Sequence, residues 1–442
     1  MKEEIKSDIA IVYPSCFAFK SNPKAKGWDI KGIHHGIGYI IAYAKKEGID
    51  VDLIDLRRLK DWDDFIGKIT NYSIVAFSVM TVDYPNAMKA IKITKAVNPK
   101  AKIIIGGVHP SVAVEDFIHN KDIDFIIQGE GEIAFVNLIK HILSNAGSRI
   151  VKGIPVDNLD DIPFIDRTLW EKEDPWPFKY KEPFVTILAS RACIYGCKFC
   201  QPTARIMFGM KERTRSVNNV ITELRLLREQ YHFKSFMVHD DNFVQNKEWG
   251  EQFIKQFKEN DFDVEFSIQA RADLICYNEE LIKKLAGIGL SYVMVGFESG
   301  SQRILNYLAK GTTVEQNIKA SKILKENDIK VWANIMFGTP TETYDEAIQT
   351  EKMLDIIQPE NLSMTYYTPY PGNFIAEECK KNNMILAKDY EEMLRYPSPK
   401  ISGIDYKLLD NLRLKIAVKH ALYNHDIIRF FWRLGKWWKA SL

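Results

Sequence analysis

No uninterrupted apolar run long enough to cross a bilayer occurs in this chain of 442 residues. The amino terminus, MKEEIKSDIAIVYPS, also lacks the apolar core of a signal peptide, so a cytoplasmic location is expected. Charge of one sign is missing too. Lys and Arg number 60 against 58 Asp and Glu, a net +2, which supplies no global field to draw nucleic acid, and no nucleic-acid partner is expected. Cysteine is scarce, six in all, too few and too unevenly spaced for a disulfide framework. The G-x-G-x-x-G loop of a dinucleotide site is absent from the first strand-like run. IVYPSCFAFKSNP carries proline and aromatics where that loop needs glycines, which disfavours NAD and FAD. There is no internal repeat, and 46% hydrophobic with 27% charged residues exclude disordered and low-complexity classes.

What is present alternates. IAIVYP, VDLIDL, SIVAFSVM, KIIIGG and DFIIQGEGE are β-branched runs separated by helical patterns. That order predicts an α/β fold, with an N-terminal Rossmann-like, doubly wound parallel sheet over residues 1–150 and ligands at the carboxyl ends of its strands. Residues 151–182 sustain neither period and read as a linker. Six further strand candidates follow: FVTILAS, KSFMVHDD, VEFSIQAR, YVMVGFES, KVWANIMFG and ENLSMTYYTPY. They predict a partial (β/α)6 barrel of the TIM type over 183–384, with catalytic groups at the strands' carboxyl ends. A helical C-terminal extension occupies 385–442.

Three of the six cysteines crowd into SRACIYGCKFCQP as Cys193, Cys197 and Cys200, a C-x3-C-x2-C spacing that lets one loop wrap three thiolates around one cluster. A 4Fe-4S cluster takes four thiolates, so three leave one iron open to an exogenous ligand. The competing reading is a zinc knuckle completed by His232 or Cys276, although knuckles favour paired C-x2-C spacings. Cys16, Cys276 and Cys379 stand alone and read as buried or incidental thiols. CIYGCKFC, with the aromatic Phe199 before its last cysteine and a strand leading in, resembles the radical S-adenosylmethionine (SAM) signature. In that superfamily, the resemblance implies, the open iron is chelated by the amino and carboxylate groups of SAM. One electron then splits the sulfonium to a deoxyadenosyl radical.

Later strand ends carry the polar groups that such a cosubstrate needs. Resemblance places the acidic edge Asp240, Asp241 and Asn242 near the ribose or the methionyl amine, while a capped turn explains it equally well. Alternation sets Ser267, Gln269 and Arg271 on one face, and the planar fork of Arg271 suits the methionyl carboxylate. GFESGS, with Glu298 and Ser299, resembles the fourth-strand signature of the cobalamin-linked branch. Gly338, in GTP, permits close backbone approach to adenine. Phe199 completes the SAM-binding set.

In the first domain, Ser78 and Thr81 follow the third strand, Gly106 and Gly107 the fourth, and Gly129 and Glu130 the fifth. Paired glycines clear space for a planar ligand, and the series resembles the cobalamin-binding domain that precedes some radical SAM domains. No D-x-H-x-x-G occurs around Asp29, His34 and His35, so the resemblance implies a cobalt whose lower face lacks a histidine. His34, His35 and His109 read either as polar loop residues or as groups near the corrin.

The expectation is thus a cobalamin-binding radical SAM enzyme with a 4Fe-4S cluster, SAM and cobalamin as cofactors. C–H functionalisation by methyl transfer comes first, an anaerobic cyclase, oxidoreductase or ring-rearranging enzyme second, and a non-catalytic corrinoid or zinc-binding module third. Tyr366, Tyr367 and Tyr370 are candidates for the substrate cavity, with core packing as the alternative. In the tail, Ile427, Phe431, Leu434 and Trp438 face one way and Arg429, Arg433, Lys436 and Lys439 another. That pattern suits either a helix packed on the barrel or peripheral membrane contact, which would favour a lipid-like over another small-molecule substrate. A monomer served by an external electron donor such as flavodoxin or ferredoxin completes the expectation.

Overall fold

A computed structural model describes residues 8–19, 32–143, 148–170, 180–394 and 398–425. The chain forms two compact units that are not consecutive along it. The first comprises 1–194, 202–235 and 389–394, and the second 195–201, 236–388 and 395–442.

The first unit is built on strands β1 (Ile9–Tyr13), β2 (Asp52–Asp55), β3 (Ile74–Ser78), β4 (Lys102–Gly106), β5 (Phe125–Gln128) and β6 (Ile150–Lys152). They form a sheet in the order β2-β1-β3-β4-β5-β6, with every neighbouring pair parallel. Period-2 alternation divides its core. Ala10, Val12, Val75, Phe77, Ile103 and Ile105 pack with Phe65, Ala87 and Ile91 on one face, while Ile11, Ala76 and Ile104 pack with Ile37, Phe135 and Ile139 on the other. Helices on both faces make this the doubly wound sheet expected, and the order reverses at β1 and β3, where such sheets take ligands.

The stretch read as a linker carries its own small core. Val156, Leu159, Ile162, Ile165 and Trp170 pack with Tyr39, so the irregular backbone at 151–170 is held by apolar contacts that follow no period. The first unit also contains β7 (Phe184–Ile187) and a two-stranded antiparallel ribbon, β8 (Ser190–Arg191) with β9 (Arg213–Thr214).

In the second unit β10 (Ser235–Val238), β11 (Glu265–Ala270), β12 (Leu290–Glu298), β13 (Lys330–Phe337) and β14 (Asn361–Tyr366) lie side by side in chain order. The pairs from β11 to β14 are parallel. A helix follows each of the first four, as in a barrel whose active end is the strands' carboxyl end. The extension supplies the helices Tyr390–Leu394 and Tyr406–Tyr423. The amphipathic stretch from Ile427 to Trp438 lies outside the described residues, as does Asp29. No helix among the described residues is long and apolar enough to cross a membrane.

Candidate functional site

Within the first unit, a cavity of about 270 Å³ opens at the carboxyl ends of β3, β4 and β5. Ser78, Gly106, Gly107 and Gly129 line it. Gly107 has φ +101, and a Cβ there would stand 2.9 Å from the backbone N and O of Val79. Any larger residue would therefore collide with the backbone that follows β3. Thr81 and Glu130, expected beside these residues, turn elsewhere. Thr81 Oγ1 pairs with His109 Nδ1 (3.2 Å), and Glu130 binds Arg191 Nη1 (3.0 Å) and the Arg213 guanidinium.

Strand ends alone do not close the cavity. Arg191 and Glu132 reach its wall, as do Met207 and Phe208 from the Thr203–Phe208 helix just after the cysteine motif. Glu132 belongs to the IIQGEGE turn that the sequence offered, whereas sequence reasoning missed Arg191, Met207 and Phe208, because their part in the wall depends on side-chain direction and on contacts between distant segments. Arg191 bridges Glu130 and Glu132, the latter at 2.6 Å, and all three are largely withdrawn from water.

His34 also lines the cavity. Its Nδ1 accepts the Ile37 N–H (3.2 Å) and caps the His35–Lys46 helix, which leaves Nε2 as the protonated nitrogen of the neutral ring. Burial, reinforced by Arg57, holds its pKa down at about 4. His34 therefore offers a bound group a donor and not a lone pair. His35 contacts Thr186 Oγ1 (2.9 Å). His109 is fully buried among Tyr84, Phe117 and Tyr390 with Nε2 3.1 Å from Asp116, a packing role.

The second unit holds the Tyr195–Gln201 segment of the cysteine motif. Lys198 N donates to Leu308 O (2.9 Å) and Phe374 N to Gln201 O (3.0 Å). Phe199 packs beside Ile304, Leu308 and Ile375. Cys197 is buried, Cys193 partly covered and Cys200 exposed. Arg271 presents Nη1 to Cys197 Sγ at 3.6 Å, while Asp273 grips its Nε and Nη2 at 3.0 Å each. Among the described residues no group of three or more His, Cys, Asp or Glu side chains is gathered as for one metal ion. The triad's claim on a cluster therefore rests on spacing, sulfur chemistry and the Arg271 contact. The fourth ligands considered for zinc have local partners or roles: Cys276 Sγ donates to Gln316 O (3.5 Å), and His232 ends the Val217–Tyr231 helix in a left-handed conformation.

Glu298 ends β12 at φ +63 after a bulge, a strained position for a residue with a side chain. Lys310 holds its carboxylate at 2.9 Å. A Cβ on Gly296 would overlap that carboxylate and come within 2.9 Å of Lys310 Nζ, so the glycine makes room for the ion pair. Ser299 is buried against Thr350 (3.3 Å), a packing position. Asp240 is buried, Asp241 exposed and Gln269 half-buried.

At the end of β13, Gly338 N and Thr339 N donate to Glu342 Oε2 (2.5 and 3.2 Å), and burial pushes the Glu342 pKa up to about 7. Ser267 Oγ and Thr339 Oγ1 are buried without a protein partner among the described residues, which suits a polar ligand at the strand ends. Tyr366 donates to Asp410 (2.5 Å) and meets the Tyr406 ring at 4.9 Å, and Tyr367 pairs with Asn373 (3.2 Å). Both pack as core, whereas Tyr370 is half-buried.

Two family models match the chain: a B12 binding domain over residues 29–139 and the radical SAM superfamily over 187–354. An uncharacterized methyltransferase of Pyrococcus horikoshii is 27% identical over 89% of this chain and 91% of its own length. An anaerobic magnesium-protoporphyrin IX monomethyl ester cyclase of Rubrivivax gelatinosus is 27% identical over 77% of this chain and 65% of the cyclase. A solved radical SAM methyltransferase from Kitasatospora setae, with cobalamin and a 4Fe-4S cluster bound, superposes with a TM-score of 0.69. That alignment covers 99% of each chain at 14% identity, a likeness of fold.

Proposed function

Since the chain belongs to the radical SAM superfamily, in the branch with a B12-binding domain ahead of it, we propose that it functionalises an unactivated C–H position of a small molecule by methyl transfer. The observation that carries this reading is the union, in one chain, of the open-cornered sulfur triad with a glycine-lined cavity at the ends of a parallel sheet. When bound, the cluster supplies the electron that splits the sulfonium of SAM, and cobalamin carries the methyl group.

The protein's own groups do the positioning. Cys193, Cys197 and Cys200 would hold the cluster. The Glu298–Lys310 pair, Gly338, and the buried, unpartnered hydroxyls of Ser267 and Thr339 would hold SAM at the strand ends. Ser78, Gly106, Gly107 and Gly129 would accept the planar cofactor, and the neutral His34 ring on the cavity wall would offer it an N–H donor. A flavodoxin- or ferredoxin-class electron donor, a monomeric state and a cytoplasmic setting belong to the same proposal.

The test is anaerobic purification with iron, sulfide and cobalt assays. We expect deoxyadenosine from SAM, with S-adenosylhomocysteine beside it. C197A should lose both the cluster and SAM cleavage. Deoxyadenosine without S-adenosylhomocysteine would favour the cyclase or rearrangement reading, which the Rubrivivax relative supports. Zinc in place of iron would end both.

A further inference from the structure

We infer that Arg271 is a positioning residue of the cluster itself, setting its reduction potential through an N–H···S hydrogen bond to Cys197, and is not a clamp for an incoming carboxylate. The inference rests on the iron-sulfur reading above. A guanidinium binds a carboxylate bidentately through one of its paired N–H edges, and Asp273 already takes the Nε/Nη2 edge, with both contacts at 3.0 Å. The remaining Nη2 proton goes to Lys310 O at 2.5 Å. Nη1 stands 3.6 Å from Cys197 Sγ. The guanidinium carbon lies 3.7 Å from the centre of the Tyr195 ring, which covers one face of the cation.

Arg271 and Cys197 are both buried, 5% and 8% exposed, so solvent ions screen this contact little. Donation to a ligating sulfur withdraws electron density from the cluster and favours its reduced form. The step concerned is a one-electron reduction by an external low-potential donor, with no bond made or broken in the protein. Asp273 offsets the buried charge and fixes the fork, and the Lys310 carbonyl fixes its second nitrogen. The site is built to aim one N–H at one sulfur.

The test is an EPR-monitored redox titration with dithionite and mediators, without SAM, on reconstituted wild-type, R271M, R271K and D273N proteins with matched iron and sulfide content. In R271M the reduced-to-oxidised ratio at a fixed potential should fall about tenfold, which is about 59 mV for a one-electron couple. R271K should recover part of this, and D273N, which keeps the cation but releases its fork, should show a smaller fall. Should R271M assemble no cluster, R271K and D273N decide by the same shift. Midpoints equal to wild type in the assembled variants, with SAM affinity lost instead, would overturn the inference and restore the carboxylate clamp. Absence of iron and sulfide from the wild type itself would overturn the family reading and this inference with it.

Discussion

At the scale of single residues, backbone geometry and burial make the sharpest demands. Gly107 combines a left-handed φ of +101 with no room for a methyl group. G107A should therefore lower stability by about 1–3 kcal/mol, read by thermal melting, and weaken corrinoid retention in parallel. Glu342 gives a pH signature. Its folded pKa of about 7 lies above the ordinary 4.5 because burial disfavours the charged form. The stability it contributes is thus complete below about pH 4.5 and lost as pH rises through about 7. E342Q should melt close to wild type at pH 5 and above it at pH 8; an equal difference at both values would refute the assignment. Strand-end glycines such as Gly106, Gly107 and Gly129 were legible in the sequence because their signal is local. Thr81 and Glu130 looked equivalent to them, and only contacts with His109, Arg191 and Arg213 reveal that they turn away.

Among elements, the ribbon of β8 and β9 links the approach to Cys193 with the sheet, because Arg191 and Arg213 from its two strands converge on Glu130. Removing one charge from a buried group strands the others. E130Q should cost about 3–5 kcal/mol in denaturant unfolding, far above the effect of breaking an exposed pair such as Lys255–Glu259. The Thr203–Phe208 helix brings Met207 and Phe208 to the cavity while exposing Ile206. F208D should weaken hydroxocobalamin affinity at least tenfold, about 1.4 kcal/mol, leaving iron and sulfide content unchanged. The strands themselves were readable, since alternating β-branched runs and intervening helices carry the period directly. This helix was not, because a six-residue stretch beside a cysteine motif holds less than two turns and no stable period.

For the whole molecule, a ligand that binds only the folded first unit must stabilise it by mass action. Hydroxocobalamin at 100 times its Kd should add about 2.7 kcal/mol, read as a concentration-dependent rise in the melting temperature of wild type that F208D blunts. The boundaries expected from the sequence, 1–150 and 183–384, follow pattern changes along the chain. Compactness follows contacts instead and draws 202–235 and 389–394 into the first unit. Tyr390 shows why: its hydroxyl donates to Asp116 (2.7 Å), and its ring meets His109 at 4.7 Å, pairings 274 residues apart in the first case. That interleaving limits how the gene can be recombined. A cassette cut after residue 150 and grafted onto another partner would arrive without Arg191, Met207, Phe208 and Tyr390. New neighbours would have to supply three cavity walls and the ring that packs on His109, so successful shuffling in this lineage should exchange both halves together.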